Sequence, residues 1–234
     1  MSGRKVGIVV FPGSNCEQDV ALALSHLGAA NEYIWHLEKD VSSFDAVVLP
    51  GGFSYGDYLR TGAIAAFSPI MASVKEFAAS GKPVIGICNG FQILCESGLL
   101  PGALRRNSGL KFRCMSTQVT VAAPGGVYFS NAGKGEVLTM PINHFEGNYY
   151  CSGQTLDRLR SGGRIALRYC DAEGRATPES NPNGAIDNIA GILSDQGNVL
   201  GLMPHPERAV DPQVGGVDGA VIFRSMLESM LQAV

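Results

Sequence analysis

The apolar residues in the first half of this chain fall into short runs closed by glycine or proline. Residues 6–11, 46–49 and 83–85 are near-continuous apolar stretches. Runs this short, lacking a polar face, read as strands covered on both sides. Between them the period lengthens. Val20, Leu24 and Leu27 recur at helical spacing, and Gly28 follows as a stop signal. Ahead of that helix, Pro12-Gly13-Ser14-Asn15 offers Ser14 or Asn15 as the cap. Residues 32–36 read as a second strand. Pro50-Gly51-Gly52 closes the third, and a helical stretch runs from there to about Ala79, broken near Pro69. Gly81-Lys82-Pro83 turns the chain into the next strand, and residues 91–96 form a helix after it. This alternation predicts an α/β fold with a mainly parallel sheet flanked by helices. In such sheets, sites lie beyond the carboxyl ends of the strands.

The second half is patterned differently. Residues 117–123, 126–131, 164–169, 189–193 and 199–203 read as shorter strands, with a turn at Asp195-Gln196-Gly197-Asn198. Residues 217–231 form an amphipathic helix that buries Ile222, Met226 and Met230. The expectation is an antiparallel extension of the same sheet and one domain over residues 1–234, because no linker-like segment divides the halves.

Composition narrows the function. The chain has 234 residues, with 18 Lys+Arg against 21 Asp+Glu and a formal charge of −3. No basic run is present, which argues against nucleic acid and against an anionic membrane surface. The cysteines at 16, 88, 95, 114, 151 and 170 include no Cys-x-x-Cys pair, and the four histidines are scattered, so spacing predicts no metal site. No apolar run is long enough for a membrane span, and the first run lacks the features of a signal segment. A reduced, cytoplasmic protein is expected.

The chemistry concentrates in Gly86-Ile87-Cys88-Asn89-Gly90. Strand, Gly-x-nucleophile-x-Gly turn and helix describe a nucleophile elbow, with cysteine as the nucleophile. A side chain at 86 or 90 would collide with backbone around the strained turn. The turn sets the sulfur at a helix start, whose partial positive charge favours thiolate. A cysteine nucleophile needs a base, and the base an orienter. Met203-Pro204-His205-Pro206-Glu207 directly follows a strand. Extended backbone there would point His205 and Glu207 to one side, giving a Cys88–His205–Glu207 triad. The amides of Gly52 and Asn89 are the candidate oxyanion donors. His26 and His36 read as structural or solvated, and Cys95 as packed. Cys16 sits near a helix start but reads as structural. Arg105-Arg106 and 111–113 read as a solvated or partner-facing surface. No Gly-x-x-x-x-Gly-Lys-Ser/Thr loop occurs, so nothing marks a nucleotide site in this chain.

These segments together resemble the class I glutamine amidotransferases. The resemblance rests on residues 11–16, on Pro50-Gly51-Gly52-Phe53-Ser54-Tyr55-Gly56-Asp57-Tyr58-Leu59-Arg60, on 86–92, on Asn181-Pro182-Asn183-Gly184 and on 201–208. The long run after Pro50 and the asparagine after the nucleophile are closest to members that serve purine biosynthesis. The resemblance implies a flavodoxin-like fold, Cys88 as nucleophile, His205 as base and acid, Glu207 as orienter, Gly52 and Asn89 as oxyanion positions and Gln92 in the substrate pocket. It implies L-glutamine as substrate, with ammonia passed to a large synthetase subunit that holds ATP and Mg²⁺, and a small third subunit. Residues 141–147 resemble a family segment near the pocket, but Phe145 departs from its pattern. The alternative on the same fold is an autonomous cysteine hydrolase, γ-glutamyl hydrolase-like or DJ-1/PfpI-like.

Overall fold

The computed structural model describes residues 4–232. A nine-stranded sheet runs through it, built from β1 (Lys5–Val10), β2 (Ala30–Trp35), β3 (Ala46–Leu49), β4 (Val84–Ile87), β6 (Arg113–Val121), β7 (Val137–His144), β9 (Ile165–Cys170), β10 (Ile189–Leu193) and β11 (Val199–Leu202). Its order is β2-β1-β3-β4-β11-β10-β9-β6-β7. From β2 to β11 neighbours are parallel, and from β11 to β7 they are antiparallel. The antiparallel extension expected from the sequence is therefore continuous with the parallel part. A separate ribbon pairs β5 (Ala103–Arg105) with β8 (Asn148–Tyr150). One buried apolar cluster, running from Val6 to Leu227, draws on both halves.

Helices pack on this sheet: α1 (Glu17–His26), α2 (Ile70–Ala79), α3 (Asn89–Glu96), α5 (Gly153–Ser161) and α6 (Ala220–Gln232), with a single helical turn, α4 (Gly126–Phe129). Val20 and Leu24 of α1 are buried, and Gly28 ends the helix at φ +77 with its amide on Ser25 O. The N-cap of α1 is Cys16, however, and no side chain caps it; the Ser14 hydroxyl instead accepts from the Phe11 amide. In α6, Ile222 and Met226 are fully buried, and Met230 is partly so.

Elsewhere the elements depart from the sequence pattern. Residues 126–131 are not a strand: Gly125 and Gly126 have φ of +82 and +63 and begin a helical turn. That turn buries Tyr128, whose hydroxyl donates to the carbonyls of Val84 and Asn198. Between 53 and 69 there is no long helix. Tyr55, Gly56, Asp57, Leu59 and Gly62 all have positive φ, so only short 3₁₀ turns form before α2. Finally, β7 and α5 fall where no element was expected. No helix among the described residues is long and apolar enough to cross a membrane.

Candidate active site

Two neighbouring parallel strands deliver the chemistry. Register pairs Ile87 of β4 with Leu202 of β11, and the Cys88 amide donates to Leu202 O at 2.8 Å. Cys88 leaves β4 and His205 leaves β11 at the same sheet edge, as the rule for parallel sheets requires.

Cys88 is the turn residue immediately before α3, with φ +51 and ψ −102. A side chain held in that region costs on the order of 1–3 kcal/mol, which the surroundings must supply. The glycines on either side explain how. A Cβ on Gly86 would stand 2.6 Å from Gly90 O, and one on Gly90 only 1.9 Å from Leu49 O. Backbone would thus meet a new Cβ on both flanks of Cys88, as the sequence pattern anticipates. The sulfur is nearly buried, and its thiol donates to Asn143 O at 3.7 Å.

His205 and Glu207 form a buried pair, Nδ1 to Oε1 at 2.6 Å. They meet by a different route from the one expected. The backbone at 206–208 is a 3₁₀ turn, not an extended strand, and the turn folds Glu207 back under the ring. Burial alone would lower the imidazole pKa, but the Glu207 carboxylate and then a Cys88 thiolate raise it well above the ordinary histidine value. Nε2 of His205 and Oε2 of Glu207 are buried with no hydrogen-bond partner among the described residues.

The charged imidazole therefore contributes stability that is complete below about pH 6.5 and is lost as pH rises through the raised folded value. In Glu207→Gln the largest raising charge is gone while the burial that lowers the pKa remains. The ring of His205, followed by NMR, should then titrate at lower pH than in the parent, and turnover should fall by about 10²–10⁴-fold. An unmoved titration curve would remove Glu207 from the orienting role.

Cys16 joins this pair. Its sulfur and the ligand atoms of His205 and Glu207 all lie within 4.8 Å of one another. Arg208 donates to the same sulfur at 3.3 Å and to Asp19 at 3.0 Å. Gly51 leaves room for the arrangement, since a Cβ there would come within 2.8 Å of the His205 ring and 3.1 Å of the Cys16 sulfur. Residues 16, 205 and 207 are too far apart in the chain for spacing to announce such a set.

Above Cys88 is a cavity of about 190 Å³, also lined by Gly52, Asp57, Gln92, Arg106, His144 and Glu146. That is smaller than the roughly 300–1,000 Å³ of sites for drug-sized ligands, so it suits a single small molecule. Gly52 takes φ +146, a conformation that favours glycine. Asn89 is the first residue of α3, so its amide has no acceptor within the helix. The Asn89 side chain also braces the wall. Its oxygen accepts from the Ser54 amide at 3.1 Å, and its nitrogen donates to Gln92 Oε1 at 2.9 Å. Gln92 in turn donates to Glu146 O at 2.6 Å. This chain of bonds ties the loop after β3, the elbow helix and the segment after β7 together. Gln92 lines the cavity, with its amide committed to those bonds.

Arg106 is no plain surface residue, because it stands at the cavity rim. Asp57 falls in the 50–60 run, and His144 and Glu146 fall in the 141–147 segment, but the sequence assigns none of the three a role, and all three line the cavity. His36, by contrast, is buried, does not line that cavity and is bonded to the Tyr55 hydroxyl at 2.8 Å. His26 is half exposed near Asp211. Cys95 is buried, and its thiol is pushed far up by burial.

An elbow cysteine beside a buried histidine–glutamate pair, at the carboxyl edge of such a sheet, defines a class, and the whole sequence agrees. The chain belongs to the glutamine amidotransferases: residues 3–216 match the CobB/CobQ-like glutamine amidotransferase domain. It is 55% identical to the phosphoribosylformylglycinamidine synthase subunit PurQ of Chlorobaculum parvum over 227 residues, 97% of this chain and 90% of that one. With the PurQ subunit of Chlorobaculum tepidum identity is 53%, over all of both chains. Among solved structures, a chain of PurLQS from Thermotoga maritima superposes with a TM-score of 0.88 at 40% identity, covering 97% of this chain and 99% of that chain.

Proposed function

We propose that this protein is the glutaminase subunit of a phosphoribosylformylglycinamidine synthase and acts in de novo purine biosynthesis. The observation that carries the reading is the cavity with Cys88 in its wall, next to the buried His205–Glu207 pair, in a chain whose full-length relatives are PurQ subunits.

Cys88 sulfur attacks the side-chain amide carbon of L-glutamine. The carbonyl oxygen takes up negative charge and is met by the Gly52 and Asn89 amides; one such donor is typically worth about 2.7–4 kcal/mol in the transition state. His205 passes a proton to the amide nitrogen, the C–N bond breaks, and ammonia leaves a γ-glutamyl thioester on Cys88. A water molecule, giving its proton to His205, cleaves the thioester to glutamate and restores the thiol. Glu207 holds the imidazole on Nδ1 throughout, so that Nε2 does the proton work. Gln92 braces the pocket wall.

Ammonia goes to a large synthetase subunit, where it replaces the amide oxygen of formylglycinamide ribonucleotide and gives the amidine. ATP and Mg²⁺ bind on that subunit, which agrees with the absence of a phosphate-binding loop from this sequence. A small third subunit completes the assembly, and the complex works in the cytoplasm. The whole chain, 1–234, acts as one amidotransferase domain. The name of the Thermotoga maritima neighbour, PurLQS, supports an assembly of this kind.

The test is coupling. The isolated chain should release glutamate slowly, and adding the synthetase, ATP, Mg²⁺ and formylglycinamide ribonucleotide should raise that rate at least tenfold. Full hydrolytic turnover alone, unchanged by the partner, would identify an autonomous cysteine hydrolase instead.

A further inference from the structure

The cavity is polarised from floor to rim. At its buried end are Cys88, 5% exposed, and His144, 3% exposed. At the open end stands Arg106, whose side chain is 70% exposed. Between them lie two carboxylates, Asp57 and Glu146, and their surroundings differ. Glu146 is answered on both oxygens, by the Thr61 hydroxyl at 2.8 Å and by Arg106 Nε at 3.5 Å. Asp57 has no such answer: its Oδ1 is buried without a partner among the described residues. Burial, and then the neighbouring Glu146, push the Asp57 carboxyl up to about 6. A strained backbone holds it there, at φ +54.

A second feature of the same cavity also calls for a polar ligand. Nε2 of His144 lies 3.2 Å from the Asn183 amide nitrogen. Burial, and then the charge of His205, press the His144 pKa down to about 3, so the ring is neutral. Its Nδ1 is buried with no partner among the described residues. Buried polar groups are nearly always hydrogen-bonded, and each exception calls for a cause.

Glutamine has a neutral amide at one end and an ammonium with a carboxylate at the other. We propose that Asp57, backed by Glu146, holds the α-ammonium of the substrate and that Arg106 at the rim takes its α-carboxylate. The inference rests on the glutaminase reading above and adds to it the residues that select a free α-amino acid. The ammonium supplies the cation that Asp57 lacks, and the carboxylate meets a guanidinium fork suited to it. With the charged end anchored there, the amide end is left to the part of the same cavity that Cys88 lines. Glutamine within a peptide, with its α-nitrogen acylated, and des-amino amides lose the Asp57 contact and are rejected.

Two thiol reagents test this on the full chain, with labelling of Cys88 followed by mass spectrometry. One is 6-diazo-5-oxo-L-norleucine, which carries the α-ammonium and α-carboxylate; the other is iodoacetamide, which carries neither. In Asp57→Asn the ratio of the two labelling rates should fall about tenfold or more, the size expected for loss of one charged hydrogen bond. Glu146→Gln should lower the same ratio by a smaller factor, and it stands in if the first variant does not fold. In the parent, the des-amino diazoketone should label about tenfold more slowly than the amino form. An unchanged ratio in both variants overturns the assignment and leaves the glutaminase reading standing. Equal slowing with both reagents also overturns it, because Asp57 would then be supporting the nucleophile. If the parent reacts with iodoacetamide at Cys88 but not with the glutamine-like reagent, the glutaminase reading falls and this inference with it.

Discussion

Alanine at position 88 should abolish glutamine-dependent synthesis by the assembled complex and leave ammonia-dependent synthesis intact. The expected loss of glutaminase turnover is on the order of a millionfold, the scale seen when a triad nucleophile is removed elsewhere. No neighbouring thiol can step in. Cys16 is close to His205 but does not line the substrate cavity, and Cys95 is buried behind the elbow. The ammonia-dependent rate makes the result interpretable, since it requires an intact complex but no thioester. Retained glutamine use by Cys88→Ala would reject the assignment. The backbone adds a control. Cys88→Gly is equally inactive, yet glycine tolerates φ +51 where alanine does not, so it should unfold at higher urea than Cys88→Ala, by about 1–3 kcal/mol.

Gly90→Ala should be the most damaging single methyl near the site. The added Cβ would stand 1.9 Å from Leu49 O and 2.7 Å from Leu49 C. Neither side has freedom to retreat: Leu49 ends a central strand, and α3 packs on that strand and its neighbours. Overpacking against side chains typically costs about 1–3 kcal/mol; against backbone the cost should exceed that. The check is a fall in the urea midpoint at unchanged slope, with loss of turnover even where the protein is folded. Gly153→Ala is the contrast. It opens α5, has nothing within 4 Å of a new Cβ and takes no positive φ. Alanine there should be neutral or stabilise by up to about 1 kcal/mol.

How much of this was readable beforehand depended on how local the cause was. The elbow was legible because its glycines, nucleophile and flanking apolar runs are contiguous. His205 and Glu207 were legible as a pair because they stand two positions apart, although a turn and not an extended strand unites them. The central parallel strands were legible as unbroken apolar runs, whereas β2 at the edge, Ala30-Asn31-Glu32-Tyr33-Ile34-Trp35, is mixed. β7 was not, even though its residues alternate in burial with Leu138, Met140, Ile142 and His144 inward. Pro141 interrupts that run, and proline belongs at a sheet edge, which is where β7 lies. In α5 only Leu156 and Leu159 are buried, too few to mark a period. Residues 126–131 were misread because Val127, Tyr128 and Phe129 favour strands; two glycines and the tertiary anchoring of Tyr128 prevail. Cys16, Asp57, His144 and Glu146 stand in stretches that carry the family resemblance, residues 11–16, 50–60 and 141–147, but which side chains meet, and that Arg106 joins the cavity, shows only in three dimensions.

The ladder between β4 and β11 also bears on how such a chain tolerates change. Sulfur and imidazole keep their separation through hydrogen bonds linking two adjacent rungs, not through the long excursion of polypeptide from one to the other. Extra residues spliced into an exposed bend of that excursion, such as 172–174, leave the rungs aligned. A single residue added inside either strand slides one reactive atom by about 3.3 Å and turns its side chain to the opposite face. Length is free in one place and fixed in the other, so insertions that vary between relatives should gather in the bends and spare both strands.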